Sequence, residues 1–324
     1  MLGNGSGGVR NDPNRNLTTI TPATTGKPEG GGKANRSAKK QGAESGKLDR
    51  IDRDEVSSLS LEEVRGDDER QRGRGYGRDP EEELEAPAGH ASNRRRFKGQ
   101  AFRVDARGRT VPPTFGDVDQ GNLSDAWLMA CFAAVAHAQP AQIMKRIDRL
   151  DDGAFQVRVG KHTLFRITPE FSGEGYADPM PNGQEDTMWC ALLEKAWAKR
   201  EAGAYTLLEV GNPSRALEDL SGKTARRISI SDLTAPELLW TRLREARLGE
   251  SAIVYRTREQ GVATPLHADH VYAVLDVYER DGNRVVRLYN PWGTNGNERT
   301  LESMIHEIGI AELIRDGLSF HVSG

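Results

Sequence analysis

The chain has 324 residues and a formal net charge of −3, which excludes a broadly basic nucleic-acid-binding surface. Its only cysteines, Cys131 and Cys190, exclude a disulfide framework and favour a reducing compartment. It lacks both the run of about 18 apolar residues that a membrane helix needs and the apolar segment of a Sec-type signal peptide. We therefore expect a cytoplasmic protein, or one delivered by a route that needs no signal peptide.

Residues 1–100 differ in composition from the rest of the chain. They hold 16 of the 35 Gly, none of the 5 Trp, one Phe and one Tyr. Such a segment buries too little apolar surface to offset its ordering entropy. We expect a disordered low-complexity extension that serves as a cleavable pro-segment or a delivery tail. Its basic stretches, at Arg72/Arg74 and 94–96, are expected to be exposed, without regular structure and open to proteolysis.

From residue 101 the pattern becomes globular, and predicted helices come first. An Ala-rich apolar run over 126–135 predicts a buried helix capped by Ser124 or Asp125. Apolar residues at helical spacing predict a second helix over about 187–202. A capping box with proline in its first turn predicts a third helix, from 234 to about 249.

After residue 250 the hydrophobic period changes from helical to alternating. The segments that predict strands are 252–255, 270–278, 284–289 and 318–322. Asp281-Gly282 predicts a two-residue hairpin turn between the second and third of them. Helices over 120–250 followed by antiparallel strands over 250–324 predict an α+β fold with a cleft between a helical half and a sheet half.

The predicted hairpin carries a candidate His–Asn pair. His270 begins its first strand and Asn290 follows its second. Pairing across Asp281-Gly282 sets Ala273 opposite Asn290, so a longer loop or a β-bulge has to close the remaining offset of three residues to His270. With that offset closed, the carboxamide accepts a hydrogen bond from one ring nitrogen of the histidine. The other nitrogen then faces a nucleophile at a helix N-terminus, as in Cys-His-Asn catalysis.

Residues 120–130, QGNLSDAWLMA, resemble the active-site segment of calpain-type cysteine proteases, QGxLGDCWLLA. Four further segments resemble the family in the same order, namely ALLEKAWAK at 191–199, EDLSG at 218–222, DHVYAV at 269–274 and NPWG at 290–293. The resemblance implies a papain-like two-lobed core over 101–324, with a helical lobe over about 101–249 and a β-rich lobe over about 250–324.

The family's nucleophilic Cys corresponds here to Ala126, whose methyl group cannot attack a carbonyl. Cys131 cannot replace it, because five residues along a helix separate the two by about 7 Å and turn them to different faces. We expect the chain as written to be inactive. An engineered Cys→Ala change and a natural pseudoenzyme both explain Ala126, and the retained Gln120, His270 and Asn290 favour the first.

The resemblance implies a role for each site residue once a thiol is restored at position 126. The residues are Gln120, Ala126, His270 and Asn290 for catalysis, with Asp125, Trp127 and Trp292 as active-site support. The thiolate attacks, the glutamine side chain and the backbone N–H of residue 126 form the oxyanion hole, the histidine transfers the proton and the asparagine fixes its tautomer. The tryptophan after the asparagine would cover the His–Asn bond from water, and ordinary core packing explains it equally well.

Calcium is the cofactor that the resemblance raises, because animal calpains use it to bring two core halves together. Asp117 stands where one acidic ligand of the family is found, but Thr206 takes the place of its partner acid and 294–297 replace further acids. A calcium ion needs six to eight oxygen ligands, several of them carboxylates. We therefore expect no metal and no other cofactor, with Asp117 acting as a cap or turn residue.

Together these features predict a calpain-like cysteine endopeptidase that acts on protein or peptide substrates. Its own N-terminal extension is a further expected substrate, in self-processing. Two alternatives stay open: a pseudoprotease that binds a peptide or a protein, and a papain-like acyl transferase or deamidase that uses the same triad. The domain organisation suits a microbial effector, and neither nucleic acid nor a membrane span is expected.

Overall fold

The computed structural model describes residues 94–172, 177, 187–201, 203–231, 235–293 and 300–324. Its strands are β1 (Arg94–Arg96), β2 (Ile147–Arg149), β3 (Phe155–Val159), β4 (Thr163–Ile167), β5 (Glu170–Ser172), β6 (Ala225–Ser229), β7 (Ile253–Thr257), β8 (Val271–Arg280), β9 (Asn283–Tyr289), β10 (Ile305–Gly309) and β11 (Gly317–Ser323). Its α-helices are α1 (Ala126–Ala138), α2 (Pro140–Met144), α3 (Trp189–Arg200), α4 (Pro213–Ser221), α5 (Pro236–Leu248) and α6 (Ile310–Asp316). The predicted N-terminal extension lies outside the described residues, apart from its last few.

Helix α1 confirms the predicted buried helix. Its residues from Leu128 to Ala136 are all buried, as expected for a helix without a polar face. Asp125 occupies the N-cap position, but its side chain makes no capping hydrogen bond. The prediction that this carboxylate caps the helix is therefore wrong, because the side chain is turned into the protein interior.

Helices α3 and α5 confirm the other two predicted helices. Helix α3 is buried along almost its whole length, and α5 has Pro236 in its first turn. The N-cap residue of α5 is Ala235, which has no capping side chain. Thr234, the residue expected to cap this helix, lies outside the described residues.

Six antiparallel strands form the main sheet, in the order β10-β9-β8-β7-β11-β6. Strands β7, β8, β9 and β11 confirm the predicted ones, and Arg280 pairs with Asn283 across the two-residue turn. Mixed helices and an antiparallel sheet agree with the predicted α+β class.

The sheet lies between two apolar layers. On one face, Val271 and Ala273 of β8 pack with residues of α1 and α3. On the other face, Tyr272 and Val274 of the same strand pack with residues of α5 and α6. Both faces of the central strands are therefore covered, so the ends of the strands are the part of the sheet where a functional site can lie.

Strands also occur in the half that was expected to be helical. Strands β2, β3 and β4 form a separate antiparallel sheet, and β6 joins the edge of the main one. Strand β3 buries only alternate residues of its five, so its signal is too short to stand out among charged neighbours. Conversely, α6 lies within the half that was expected to consist of strands.

The basic run Arg94–Arg96 was expected to lack regular structure, and this expectation is wrong. The run forms β1 and pairs antiparallel with β5. Strand pairing uses backbone groups, so a run of arginines can take part in it. Phe97 follows directly and is buried, with its ring 5.8 Å from that of Phe171. The described fold thus begins before residue 101.

None of the helices in the described part of the chain has the length and apolar character needed to cross a membrane.

Candidate active site

His270 and Asn290 are hydrogen-bonded at the end of the main sheet. Nε2 of His270 lies 2.9 Å from Oδ1 of Asn290. The same oxygen accepts the backbone N–H of Trp292 at 3.1 Å, which fixes the carboxamide. The histidine main chain is anchored to β7, since its N–H donates to Oγ1 of Thr257 at 2.9 Å. Because Nε2 donates to the asparagine, Nδ1 is the ring nitrogen left for proton exchange.

A β-bulge contributes to closing the offset that the sequence predicts between these residues. The β8–β9 pairs follow the predicted register from Arg280–Asn283 to Asp276–Arg287, and the register then shifts by one residue at Leu275. Ala273 consequently lies opposite Tyr289 instead of Asn290. The bulge reduces the offset between His270 and the position opposite Asn290 from three residues to two. The beginning of β8 spans these two residues.

The imidazole of His270 is enclosed and neutral at pH 7. Burial lowers its pKa to about 4, while the hydrogen bond that the ring donates to Asn290 opposes that shift and nearby His267 adds to it. Its ring lies 4.7 Å from the ring of Trp292 and 4.8 Å from that of Tyr272. Trp292 thus lies against the imidazole of the hydrogen-bonded pair.

Gln120 reaches the same region from the segment that precedes α1. Its backbone N–H donates to the carbonyl of Pro291 at 3.0 Å, next to Asn290. Its side-chain Nε2 donates to the carbonyl of Leu123 at 2.5 Å. Gln120 is buried, so its amide is held in one orientation.

Two further contacts fix this segment against the end of the sheet. The hydroxyl of Tyr289 donates to the carbonyl of Val118 at 2.6 Å. Gly293 approaches Asp119 so closely that a Cβ on the glycine would lie 2.6 Å from the carboxyl carbon, and its φ is +61°. A side chain at position 293 would therefore push Gln120 away from Asn290.

Ala126 is the first residue of α1 and is partly exposed. The helix N-terminus carries about half a unit of positive charge, which favours a thiolate at this position. The neighbouring Trp127 is held by its indole N–H, which donates to the carbonyl of Leu208 at 2.6 Å. This hydrogen bond to Leu208, a residue outside the helix, thus helps to fix the position of the first turn of α1.

Beside Trp127 lies a small open pocket, in the part of the chain that the structure describes. Val210, Gly211 and Arg215 contribute to its walls. A Cβ on Gly211 would lie 2.0 Å from the indole ring of Trp127, so only glycine allows this approach. Gly211 is not among the site residues predicted from the sequence, although Gly-Asn-Pro directly before a helix is a signal that points to it.

The side chain of Asp125 meets Glu194 of α3 in the interior. Neither oxygen of Asp125, nor Oε1 of Glu194, has a hydrogen-bond donor among the described residues. Burial is the largest cause that raises both carboxyl pKa values, that of Asp125 to about 8. The pair therefore holds a proton at neutral pH. Glu194 lies in one of the quoted family segments, yet sequence alone gave it no role.

The cysteines of the chain do not supply a nucleophile. Cys131 and Cys190 are buried, and burial raises the pKa of each thiol. Cys131 lies in the interior of α1 with its Sγ 3.6 Å from the carbonyl of Pro213. Neither sulfur meets the conditions under which cysteines react.

Asp117 does not fit a calcium site in its present contacts. One of its oxygens accepts from Arg103 at 3.2 Å, and the other accepts from the N–H of Thr114 at 2.8 Å and from the indole of Trp189 at 3.3 Å. It completes a capping box with Thr114, as expected of a cap residue. A guanidinium beside the carboxylate opposes cation binding. The expected substitutions at 294–297 lie outside the described residues.

Comparison with known proteins shows the family. Residues 110–299 match the model of the calpain family cysteine proteases. The chain belongs to this family. It is 32% identical to calpain-9 of Rattus norvegicus over 199 residues. The aligned region makes up 55% of this chain and 28% of that protein.

Other relatives show the same partial coverage. A calpain of Schistosoma mansoni is 28% identical over 197 residues, 55% of this chain and 26% of that protein. The calpain-type cysteine protease DEK1 of Zea mays is 26% identical over 195 residues, 54% of this chain and 9% of that protein. The aligned part thus spans less than a third of each of these relatives.

Proposed function

We propose that the chain carries the core of a calpain-type cysteine endopeptidase in which Ala126 replaces the nucleophile, so that it binds protein or peptide substrates without cutting them. The single observation that supports this best is the buried hydrogen bond of 2.9 Å between His270 and Asn290. A triad base and its orienting residue are intact in a chain whose helix α1 begins with alanine.

With a thiol at position 126, the proton path uses the free nitrogen of His270. The thiol proton passes to Nδ1, and the thiolate sulfur attacks the carbonyl carbon of the substrate. The proton then passes to the leaving amine as the C–N bond breaks and a thioester forms. Water attacks the thioester with the imidazole as general base, which releases the carboxylic acid and regenerates the thiol.

The oxyanion of each tetrahedral intermediate needs fixed donors. The side-chain amide of Gln120 and the backbone N–H of residue 126 are the donors we assign. The hydrogen bond of Gln120 to Pro291 supports this role, because it ties the amide segment to the loop that carries Asn290.

Restoring the thiol tests this proposal. We expect Ala126→Cys to cleave casein and unstructured peptides, and we expect Ala126→Ser to be far slower because a hydroxyl is a weaker nucleophile at neutral pH. His270→Ala in the Ala126→Cys chain should abolish cleavage, whereas Asn290→Ala should weaken it less. Cleavage that persists without His270 would contradict the triad.

Ala126 itself favours a second candidate, a natural pseudoprotease that acts as a binding scaffold. For this candidate the Ala126→Cys chain remains inert towards all substrates while both forms bind peptides with equal affinity, as measured by calorimetry. Release of ammonia without chain cleavage would instead indicate a deamidase, the remaining papain-like alternative.

A further inference from the structure

The extra residue in β8 decides which face of the sheet His270 occupies. Side chains of a strand alternate between faces, and directly opposed residues share one. Before the bulge, Tyr272 and Val274 lie in the apolar layer of α5 and α6, and after it Val277 lies in that same layer. Leu275 and Ala273 face α1. The bulge therefore reverses the alternation, as a shift of one residue must.

Because of this reversal, the side chains of His270 and Asn290 lie on the same face of the sheet. With the bulge, Ala273 pairs with Tyr289, so the next position opposite Asn290 is Tyr272, and His270 shares a face with Tyr272. Their rings are in contact, 4.8 Å apart. In a regular ladder Asn290 would oppose Ala273, and the imidazole would project from the opposite face. The His–Asn hydrogen bond thus depends on the bulge.

Two side chains from outside the sheet hold the bulge. The carbonyl of Leu275 accepts a hydrogen bond from Nε2 of His137 at 2.7 Å and one from Nε of Arg247 at 2.9 Å. The pairing of β7 with β8 ends at Val254–Ala273, so among the described residues Leu275 has no pairing partner in β7. The donors come from the last turns of α1 and α5.

The surroundings of His137 keep its ring neutral and aligned. Burial lowers its pKa, and Arg247 and Arg287 lower it further, whereas the Leu275 carbonyl and Asp276 oppose the shift. Its ring lies 5.5 Å from that of Phe115, edge to face. With the hydrogen on Nε2, the ring donates to the Leu275 carbonyl at 2.7 Å, and Nη2 of Arg247 lies 3.1 Å from the same nitrogen.

We propose that His137 and Arg247 are positioning residues that hold the β-bulge at Leu275 and thereby keep His270 on the same face as Asn290. Neither touches His270 or Asn290, and both act through the register of β8. The helix that begins at the nucleophile position thus ends on the strand that carries the base. The expected effect of these two residues on catalysis rests on the proposed function. Their expected effect on the hydrogen bond between His270 and Asn290 does not, because it concerns the structure alone.

Nuclear magnetic resonance of the full Ala126 chain tests the structural part. A buried, hydrogen-bonded ring N–H of His270 should give a resolved resonance, assigned by its loss in Asn290→Ala. We expect the double variant His137→Ala/Arg247→Ala to lose it while keeping its urea-unfolding transition. His137→Gln, whose amide can donate to the same carbonyl, should retain it. If the double variant unfolds, the single His137→Ala variant should broaden the resonance instead.

Gln139→Ala is the matched control, because Gln139 also bonds a backbone carbonyl from the end of α1, that of Glu250 at 2.8 Å, but not one in β8. It should leave the resonance unchanged. A folded double variant that keeps the His270 resonance would overturn the proposal, as would equal loss in the control.

Activity of the Ala126→Cys chain gives an independent readout. His137→Ala in that chain should lower kcat roughly 10- to 100-fold, the effect of misplacing a catalytic group by about 1 Å, with KM changed less than about threefold. An unchanged kcat would overturn the catalytic part. If the Ala126→Cys chain is inactive from the start, the proposed function fails, while the resonance experiment still decides the role of the two residues.

Discussion

At the scale of single residues, the carboxyl groups of Asp125 and Glu194 bear on how the stability of the fold changes with pH. Asp125 directly precedes Ala126, the first residue of α1. Both carboxyl groups are buried, and burial raises the pKa of both, that of Asp125 to about 8. A folded-state pKa raised above the unfolded value of about 3.9 means that the native state keeps a proton that the unfolded chain has lost. The stability contributed by the protonated pair is therefore full below pH 4 and declines as the pH rises towards 8.

Asp125→Asn removes the part of this dependence that comes from Asp125 and supplies an amide donor to Glu194. We expect the variant to gain stability relative to the parent as the pH rises, by roughly 3–4 kcal/mol between pH 5 and pH 8. Urea unfolding of both chains at the two pH values measures this. Asp151→Asn, at an exposed position, is the control and should show no such change. Equal effects of Asp125→Asn at both pH values would show that the pair does not hold a proton.

The contacts of the Asp117 carboxylate bear on whether the chain binds calcium. Its oxygens are engaged by Arg103, the N–H of Thr114 and the indole of Trp189. We expect the Ala126→Cys chain to keep its activity in EGTA, since these donors compete with a cation for the carboxylate. Initial rates with and without micromolar to millimolar calcium measure this. Activity that appears only with calcium would show that the carboxylate exchanges its present partners for the metal.

At the scale of elements, the contact between Gly211 and Trp127 links the segment before α4 to the start of α1. A Cβ at position 211 would lie 2.0 Å from the indole, so Gly211→Ala must displace the tryptophan or the loop. We expect a loss of about 1–3 kcal/mol in the free energy of unfolding and, in the Ala126→Cys chain, a lower kcat.

Gly249→Ala is the matched control for that substitution. Its φ is −81°, and its nearest neighbour would be 3.5 Å from the added Cβ, which is ordinary contact. Urea unfolding should therefore show little change for Gly249→Ala. Equal stability of the two variants would mean that Trp127 has room to move and that the start of α1 is less constrained than its contacts suggest.

Elements with a strong hydrophobic period could be predicted from the sequence. Helices α1, α3 and α5 and the hairpin β8–β9 follow from such periods and from the Asp281-Gly282 turn. The requirement for a bulge or a longer loop also followed, from the offset of His270. The position of the bulge did not, because His137 and Arg247 bond Leu275 from more than 25 positions away, and tertiary contacts of this kind leave no local pattern.

Tertiary contacts reversed other predictions at the same scale. Asp125 has the residue type and place of an N-cap, yet its side chain is fully buried and turned from the helix. Strand β1 forms from arginines because its pairing with β5 uses the backbone. Local sequence predicts a capping side chain in the first case and no regular structure in the second, and the tertiary fold overrides both.

At the scale of the whole molecule, the sequence predicts an arm that precedes the catalytic core. A flexible arm tethered to its own cleft has an effective concentration of about millimolar order. We expect the Ala126→Cys chain to shorten itself to a core that begins between about residues 70 and 94, because β1 and the buried Phe97 protect the chain beyond.

N-terminal sequencing and intact mass follow this reaction, with the parent chain as the control that stays whole. A rate independent of protein concentration would show that each chain cuts its own arm. A stable product of 324 residues with activity on other substrates would show that the arm is a delivery or docking tail.

Covalent labelling tests most directly whether the site lacks only its nucleophile, as we propose. An electrophilic peptide, such as a peptidyl epoxide, should add once to the Ala126→Cys chain, at position 126, as shown by intact mass and peptide mapping. The parent should remain unlabelled because Cys131 and Cys190 are buried. His270→Ala should slow the addition at least about 100-fold, the lower range of a general base's contribution. A folded Ala126→Cys chain that is not labelled, or that reacts equally fast without His270, would contradict the account.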